Sequence, residues 1–152
     1  MTKTNVMRML DTAGICYRVK EYEYDENDLS GINVAKKIDM AKEQVFKTLV
    51  TRGDKTGIVV FVLPVDEELD LKKAAKISKN KNINMIHVKE LLEITGYIRG
   101  GCSPIGMKKK YPTYIDETCE LFDEISISAG VRGCQVLIDP GLLSSLISAK
   151  HF

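Results

Sequence analysis

A chain of 152 residues is long enough for one domain with a sizeable core, and 44% hydrophobic with 28% charged residues is the balance of a globular protein. No apolar run approaches the length of a bilayer span, and Met1-Thr2-Lys3-Thr4-Asn5 does not lead into a signal-peptide core, so no membrane is expected and the expected compartment is the cytoplasm. The net charge of +1 hides a segregation: residues 71–110 carry ten Lys or Arg and two acids, the remainder twelve bases and nineteen acids. Such a block fits a polyanionic partner, and equally a set of solvated helix faces.

In chain order, residues 5–13 are predicted as a helix capped by Asn5, with Val6, Met9, Leu10 and Ala13 inward and Gly14 at its end. Residues 15–22 alternate as a strand with Ile15, Tyr17 and Val19 on one face. The acidic stretch 22–28 is a loop. Ser30 caps a helix carrying Val34, Ala35 and Ile38, and residues 41–44 make a further helical turn. Residues 45–51 and 58–63 form a hairpin around Gly53-Asp54-Lys55-Thr56-Gly57. The run Ile58-Val59-Val60-Phe61-Val62-Leu63 predicts a central strand buried on both faces. Asp70 caps a helix to about Ser78, with Leu71, Ala74, Ala75 and Ile77 inward and Lys72, Lys73, Lys76 and Lys79 outward. Residues 84–88 form a short strand and 89–94 a short helix closed by Gly96. Further strands follow at 113–115, 124–128 (alternating) and 134–138, with a turn at 116–119. Asp139-Pro140 opens a last helix to about Ala149. Most strand links lack a crossover helix. The expected fold is therefore α+β: a single domain over 1–152, built on a mixed, largely antiparallel sheet of six to seven strands flanked by short helices.

Cys16, Cys102, Cys119 and Cys134 show no C-x-x-C pair, and the only histidines are His87 and His151. Metal ligands normally come as close pairs, so no metal and no cofactor is expected, and the thiols read as small core residues. A Cys102 nucleophile would need a base, and nothing in the sequence brings either histidine to it; His151, the penultimate residue, is expected to fray. There is no G-x-S-x-G, P-loop or H-E-x-x-H motif. Two features point to a ligand. Residues 95–106 hold four glycines and Pro104, a composition that can turn several main-chain N–H groups toward one spot, though a plain connecting loop has the same composition. Lys47 is a polar side chain within the apolar strand Val45-Phe46-Lys47-Thr48-Leu49-Val50, placed either to line a pocket and hold an anionic or carbonyl group or to face water.

Val45-Phe46-Lys47-Thr48-Leu49, Leu69-Asp70-Leu71-Lys72-Lys73-Ala74-Ala75, the stretch Thr95-Gly96-Tyr97-Ile98-Arg99-Gly100-Gly101-Cys102-Ser103-Pro104-Ile105-Gly106 and Ser128-Ala129-Gly130-Val131-Arg132-Gly133 occur in this order. Together they resemble, over essentially the whole chain, the YbaK family of free-standing aminoacyl-tRNA deacylases, relatives of the editing domain of bacterial prolyl-tRNA synthetases. The resemblance implies that family's fold, with the sheet curled toward a barrel. It also implies removal of cysteine from mischarged Cys-tRNA(Pro), or from Cys-tRNA(Cys), at the tRNA acceptor end and in company with prolyl-tRNA synthetase. Family members use no general base and no metal; the substrate thiol attacks its own ester. By position, Lys47 matches the lysine that anchors the substrate and Gly101 the glycine whose backbone meets it. Gly100, Cys102, Ser103 and Pro104 complete that loop. Tyr22 falls at a pocket tyrosine, and Ser128, Gly130 and Arg132 match the second loop. Where the family has an aspartate just after the Arg132-Gly133 pair, this chain has neutral Gln135, which leaves the amino acid open. Ala-tRNA(Pro) editing by water, a non-catalytic module binding aminoacyl-tRNA or a synthetase, and a Cys102 hydrolase are the alternatives. With no Trp and no evident aromatic platform, weak salt-sensitive tRNA binding is expected, with selectivity borrowed from a synthetase.

Overall fold

The computed structural model describes residues 2–152. Helix α1 (Asn5–Thr12) is capped by Thr4 rather than Asn5: Thr4 is extended and its Oγ1 accepts from the Met7 N–H at 3.3 Å. Its buried stripe is Val6, Met7 and Leu10, while Met9 and Ala13 turn to solvent. Strand β1 (Tyr17–Glu21) is shorter than expected, but Ile15, Tyr17 and Val19 do share the inward face. Helix α2 (Gly31–Lys37) starts at Ser30, whose Oγ accepts from the Asn33 N–H, and Lys20 donates to the Ile38 carbonyl at its other end, 2.9 Å away.

After a 3₁₀ turn at 42–44 come β2 (Phe46–Gly53) and β3 (Gly57–Pro64), paired antiparallel throughout. Asp70 caps α3 (Leu71–Ile77) by accepting from the N–H groups of Lys72 and Lys73, both at 3.1 Å; Leu71, expected inward, is exposed. Strand β4 (Ile83–Met85), helix α4 (Leu91–Thr95), strand β5 (Thr113–Ile115) and a 3₁₀ segment at 117–121 lead to β6 (Ile125–Ser128) and β7 (Cys134–Ile138). Strand β6 was expected to alternate; all four of its residues are buried, because both of its faces are covered. Helix α5 (Pro140–Leu146) ends three residues early. The chain then closes with β8 (Lys150–His151), which no sequence period announces.

The fold is mixed α+β, as expected, but the strands neither form one sheet nor close into a barrel. They divide into an antiparallel sheet ordered β1-β7-β6 and a mixed sheet ordered β4-β2-β3-β5-β8. β3 is its central strand, paired antiparallel with β2 and parallel with β5. The main core lies between the two sheets. There Val60, Val62 and Ile115 meet Ile125, Ile127, Val136 and Ile138, with α1 and Leu143 of α5 closing the sides. A second cluster packs α3 through Ala74 and Ala75 onto the other face of the larger sheet, against Val59, Phe61 and Leu63.

The C-terminus does not fray. β8 pairs parallel with β5, His151 lies 2.9 Å from Glu120, and the Phe152 N–H donates to the Ile115 carbonyl at 3.0 Å. The Phe152 ring meets Phe61 edge-on at 5.6 Å, and Tyr114 stacks on Phe61 at 5.5 Å. Of the four cysteines, Cys119 and Cys134 are buried as expected, Cys102 is partly buried, and Cys16 is exposed. Phe61 is fully buried at the hub of the outer cluster, so Phe61→Ala is expected to cost about 3–5 kcal/mol in urea unfolding. A loss below 1 kcal/mol would show that this cluster is not packed as described.

Candidate active site

The site lies where the two sheets meet. Their strands touch at one isolated parallel bridge, Val45 to Ser126. The Val45 carbonyl accepts from the Val65 N–H at 2.8 Å, so the odd-numbered residues of β2 turn their main-chain groups toward β3. The Val50 carbonyl accepts from the Ile86 N–H on the opposite side. Thr48 shares the parity of Val50 and directs its N–H and C=O away from β3. β4 pairs only with residues 51–53 and does not reach it. This open length of strand edge forms one wall of a pocket.

The facing wall is the smaller sheet. Register places Lys20, Gln135 and Ser128 in one row across β1, β7 and β6, on the face opposite the core residues Val19, Val136 and Ile127. Gln135 and Ser128 line the pocket. Ser126 donates to Gln135 Oε1 at 2.9 Å, which fixes the amide and leaves its N–H₂ for the cavity. Leu29, Gly31 and Val34, at the start of α2, supply an apolar side, with Val65 opposite. The cavity measures about 130 Å³. An apolar cavity of about 150 Å³ holds one benzene, so this one takes a small side chain and its carbonyl, not a nucleoside.

Lys47, on β2, is the one formally charged residue among the described residues lining the cavity. It is partly buried, and its ammonium donates to the Glu67 carbonyl. Burial lowers its pKa, and the nearby carboxylates of Glu68, Asp66 and Glu67 oppose that.

Gly100 and Cys102 bring the glycine-rich loop to the cavity. The loop is held in place internally. The Tyr97 N–H donates to Thr95 Oγ1 at 3.0 Å, its hydroxyl donates to the Ile105 carbonyl, and the Gly101 N–H donates to Ile98 at 3.0 Å. Gly100 adopts φ +85°, in the left-handed region that suits glycine. A Cβ on Gly101 would stand 3.0–3.1 Å from the main chain of Val131 and Arg132. Its Cα therefore meets the second loop rather than the cavity, and its N–H is already used. Arg132 does not enter the cavity either; its Nε donates to the Arg99 carbonyl at 2.8 Å and ties the two loops together. Ser103 is fully buried and its Oγ accepts from the Ile105 N–H at 3.3 Å. Pro104 lines a separate cleft and Gly130 a third depression beside Tyr97. Tyr22 lines an acidic depression with residues 23–27.

Lys47, Gly100, Cys102, Ser128 and Gln135 are thus brought together, while Gly101, Ser103, Pro104, Gly130, Arg132 and Tyr22 lie outside the cavity wall. Thr48, Leu29, Gly31 and Val34 were not singled out in sequence; Thr48 could have been, since strand parity next to Lys47 exposes its main chain. Cys102 is no activated nucleophile: burial pushes its thiol up to about 12, against an opposing hydrogen bond from Thr95. Neither histidine lines this cavity. His87 caps the turn at 88–90, its N–H donating to Glu90 at 3.0 Å, and His151 sits on β8.

The fold is α+β, with a small cavity beside β2 that one lysine and a glycine-rich loop help to line. The family described as "Aminoacyl-tRNA editing domain" matches residues 30–145, and the chain belongs to it. It is 49% identical over 148 residues to the "Putative Cys-tRNA(Pro)/Cys-tRNA(Cys) deacylase EbsC" of Enterococcus faecalis, covering 97% of this chain and 90% of that one. It is 33% identical over 85 residues to a proline–tRNA ligase of Kosmotoga olearia, covering 56% of this chain and 14% of the ligase. The fold matches, at TM-score 0.84 and 24% identity over 99% of this chain and 97% of the other, a solved structure titled "Crystal structure of a putative trans-editing enzyme for prolyl tRNA synthetase".

Burial holds Lys47 below the ordinary lysine value. In NMR of the reductively methylated protein, the Lys47 resonance is expected to titrate below about 10.4; a midpoint at or above that value would contradict its burial.

Proposed function

We propose that the cavity holds the aminoacyl group at the end of a mischarged tRNA and that the protein clears it by deacylation, with cysteine on tRNA(Pro), or on tRNA(Cys), as the substrate. The protein is an aminoacyl-tRNA deacylase of the editing family, and its substrate class is aminoacyl-tRNA. The observation that carries the reading is the pairing of one half-buried amine with the β2 segment that β4 does not reach, around a cavity of about 130 Å³.

The chemistry follows from what lines the wall. No side chain there is an activated nucleophile or a free base, so the protein's part is orientation and charge. The Lys47 ammonium, unopposed by any carboxylate in the wall, favours the thiolate of a bound cysteine and the negative charge that develops on the ester carbonyl oxygen. The Thr48 N–H is a second donor for that oxygen. Attack by the substrate sulfur forms the C–S bond and breaks the ester C–O bond. The ribose hydroxyl leaves with the proton that the thiol gave up, and the amino acid departs as a cyclic thiolactone. An alanyl ester has no thiol and would need a water in the same cavity. Prolyl-tRNA synthetase is the partner that would present the tRNA.

The test is deacylation of Cys-, Ala- and Ser-tRNA(Pro) by the purified protein. Cysteine release is expected to be fastest, and Lys47→Ala is expected to lose about 100-fold, the scale of removing one transition-state donor. Cys102→Ala is expected to keep more than a tenth of the rate. Faster alanine release would move the specificity to the water route. Tight binding of charged tRNA without turnover would make this a binding module, and loss of activity in Cys102→Ala would restore the thiol nucleophile.

A further inference from the structure

The basic block of residues 71–110 is split by the fold. Lys72, Lys73 and Lys76 ride on α3, which covers the Val59, Phe61 and Leu63 face of the larger sheet. Lys108, Lys109 and Lys110 lie between Met107 and Tyr111, which pack on the opposite face with the main core. The two groups lie on opposite faces of the larger sheet, so the net charge of the block does not describe a single surface.

The second group rims a cleft of about 310 Å³ with apolar walls: Met9 of α1, Met107, Tyr111, and Leu146 and Ile147 at the end of α5. Among the described residues, no carboxylate lines it. Among the described residues, none of the three ammonium groups enters an ion pair or a hydrogen bond. The Tyr111 hydroxyl donates to the Ile94 carbonyl at 2.7 Å, so its ring is held in place before any ligand arrives. Two thioethers give the wall an adaptable surface for a flat ring. Lys108 and Lys109 also line a depression on their far side, where Glu90 pairs with Arg52 at 3.1 Å and Glu93 is present, so the carboxylates near these lysines stand on that side and the cleft side carries none.

The cleft and the aminoacyl cavity are lined by neighbouring segments of one loop. Gly100 and Cys102 line the cavity; Pro104, Ile105 and Gly106 line the cleft. Residues 102 and 106 are at most about 14 Å apart along an extended chain, a distance that a few nucleotides span.

We propose that this cleft is a second RNA contact of the protein, with backbone phosphates on Lys108, Lys109 and Lys110 and one unstacked base against Met9, Met107 and Tyr111. The proposal rests on the reading that the neighbouring cavity takes the aminoacyl end of a tRNA. The α3 lysines take no part.

The test is fluorescence anisotropy with a labelled RNA hairpin that carries a tRNA acceptor stem and its single-stranded 3′ end. Lys108→Gln/Lys109→Gln/Lys110→Gln is expected to weaken binding at least tenfold and to lower the log–log salt slope by about 2–3, as loss of three phosphate contacts requires. Lys72→Gln/Lys76→Gln/Lys81→Gln removes the same charge elsewhere and is expected to change nothing. Met9→Glu, at the exposed cleft mouth, is expected to weaken binding as well. Equal losses in both triple variants, or none in the first, would overturn the proposal in favour of diffuse electrostatics. A silent Met9→Glu would overturn the placing of a base in the cleft. Competition by a polyglutamate peptide as effective as that by RNA of equal charge would overturn it in favour of an acidic protein partner. Turnover of cysteinyl-adenosine, which carries no phosphate for the three lysines, is measured in parallel with the unaltered protein. Its absence would sink the deacylase reading while leaving the RNA result standing.

Discussion

The structure turns on a mismatch of strand lengths. β2 runs for eight residues, but its neighbour β4 covers only the last three, and β6 of the other sheet runs beside it with a single ladder bridge, from Val45 just before β2 to Ser126. A buried strand edge normally finds a partner, because an unmet amide or carbonyl costs about as much as a lost hydrogen bond. Here the length around Thr48 is left open beside a small cavity. Thr48 lines that cavity, with its main chain turned away from β3 and beyond the reach of β4.

The surrounding elements keep that edge open and its shape constant. The core between the sheets sets their separation, and α2 covers the cavity's apolar side. The two loops brace each other through the close approach of Gly101 to Val131 and Arg132 and the bond from Arg132 to Arg99. Preorganisation of this kind matters most for a reaction in which the protein contributes no nucleophile, since holding a reactive geometry is then the main source of rate. A single amine acts in the same direction: Lys47, held by the Glu67 carbonyl, brings the one formal charge among the described residues that line the cavity. Gln135 fits this arrangement. Held by Ser126, it presents a neutral amide where an acid would have cancelled part of the lysine's field.

Much of this was legible in the sequence, and the failures have physical reasons. The β-branched run 58–63 identified the central strand, and Ser30, Asp70 and Asp139 capped the helices assigned to them, because burial on both faces and cap chemistry are local signals. Lys47 stood out as a polar residue in an apolar strand, and it does line a cavity with Gly100, Cys102, Ser128 and Gln135. Register is not local, and there the reading fell short. Nothing in residues 124–138 told that β6 and β7 would join β1 in a separate sheet, or that Lys150 and His151 would extend the larger one. The roles of glycine and arginine were the hardest to read. Gly101 and Arg132 look like ligand contacts in sequence, whereas in the fold they are what two loops need in order to touch. The helical stripe of α1 was displaced for a similar reason: Met7 rather than Met9 faces the core, a choice made by the sheets and not by the helix period.

The most direct test of the open-edge account is amide NMR of the isotope-labelled protein titrated with a cysteinyl-adenosine analogue whose ester is replaced by a stable amide. The largest shifts are expected at the Thr48 and Gly100 main-chain amides and at the Gln135 side-chain amide, with the α3 amides unmoved. Saturable binding that leaves Thr48 and Gln135 unchanged and instead moves residues 22–27 would show that the substrate end is held elsewhere.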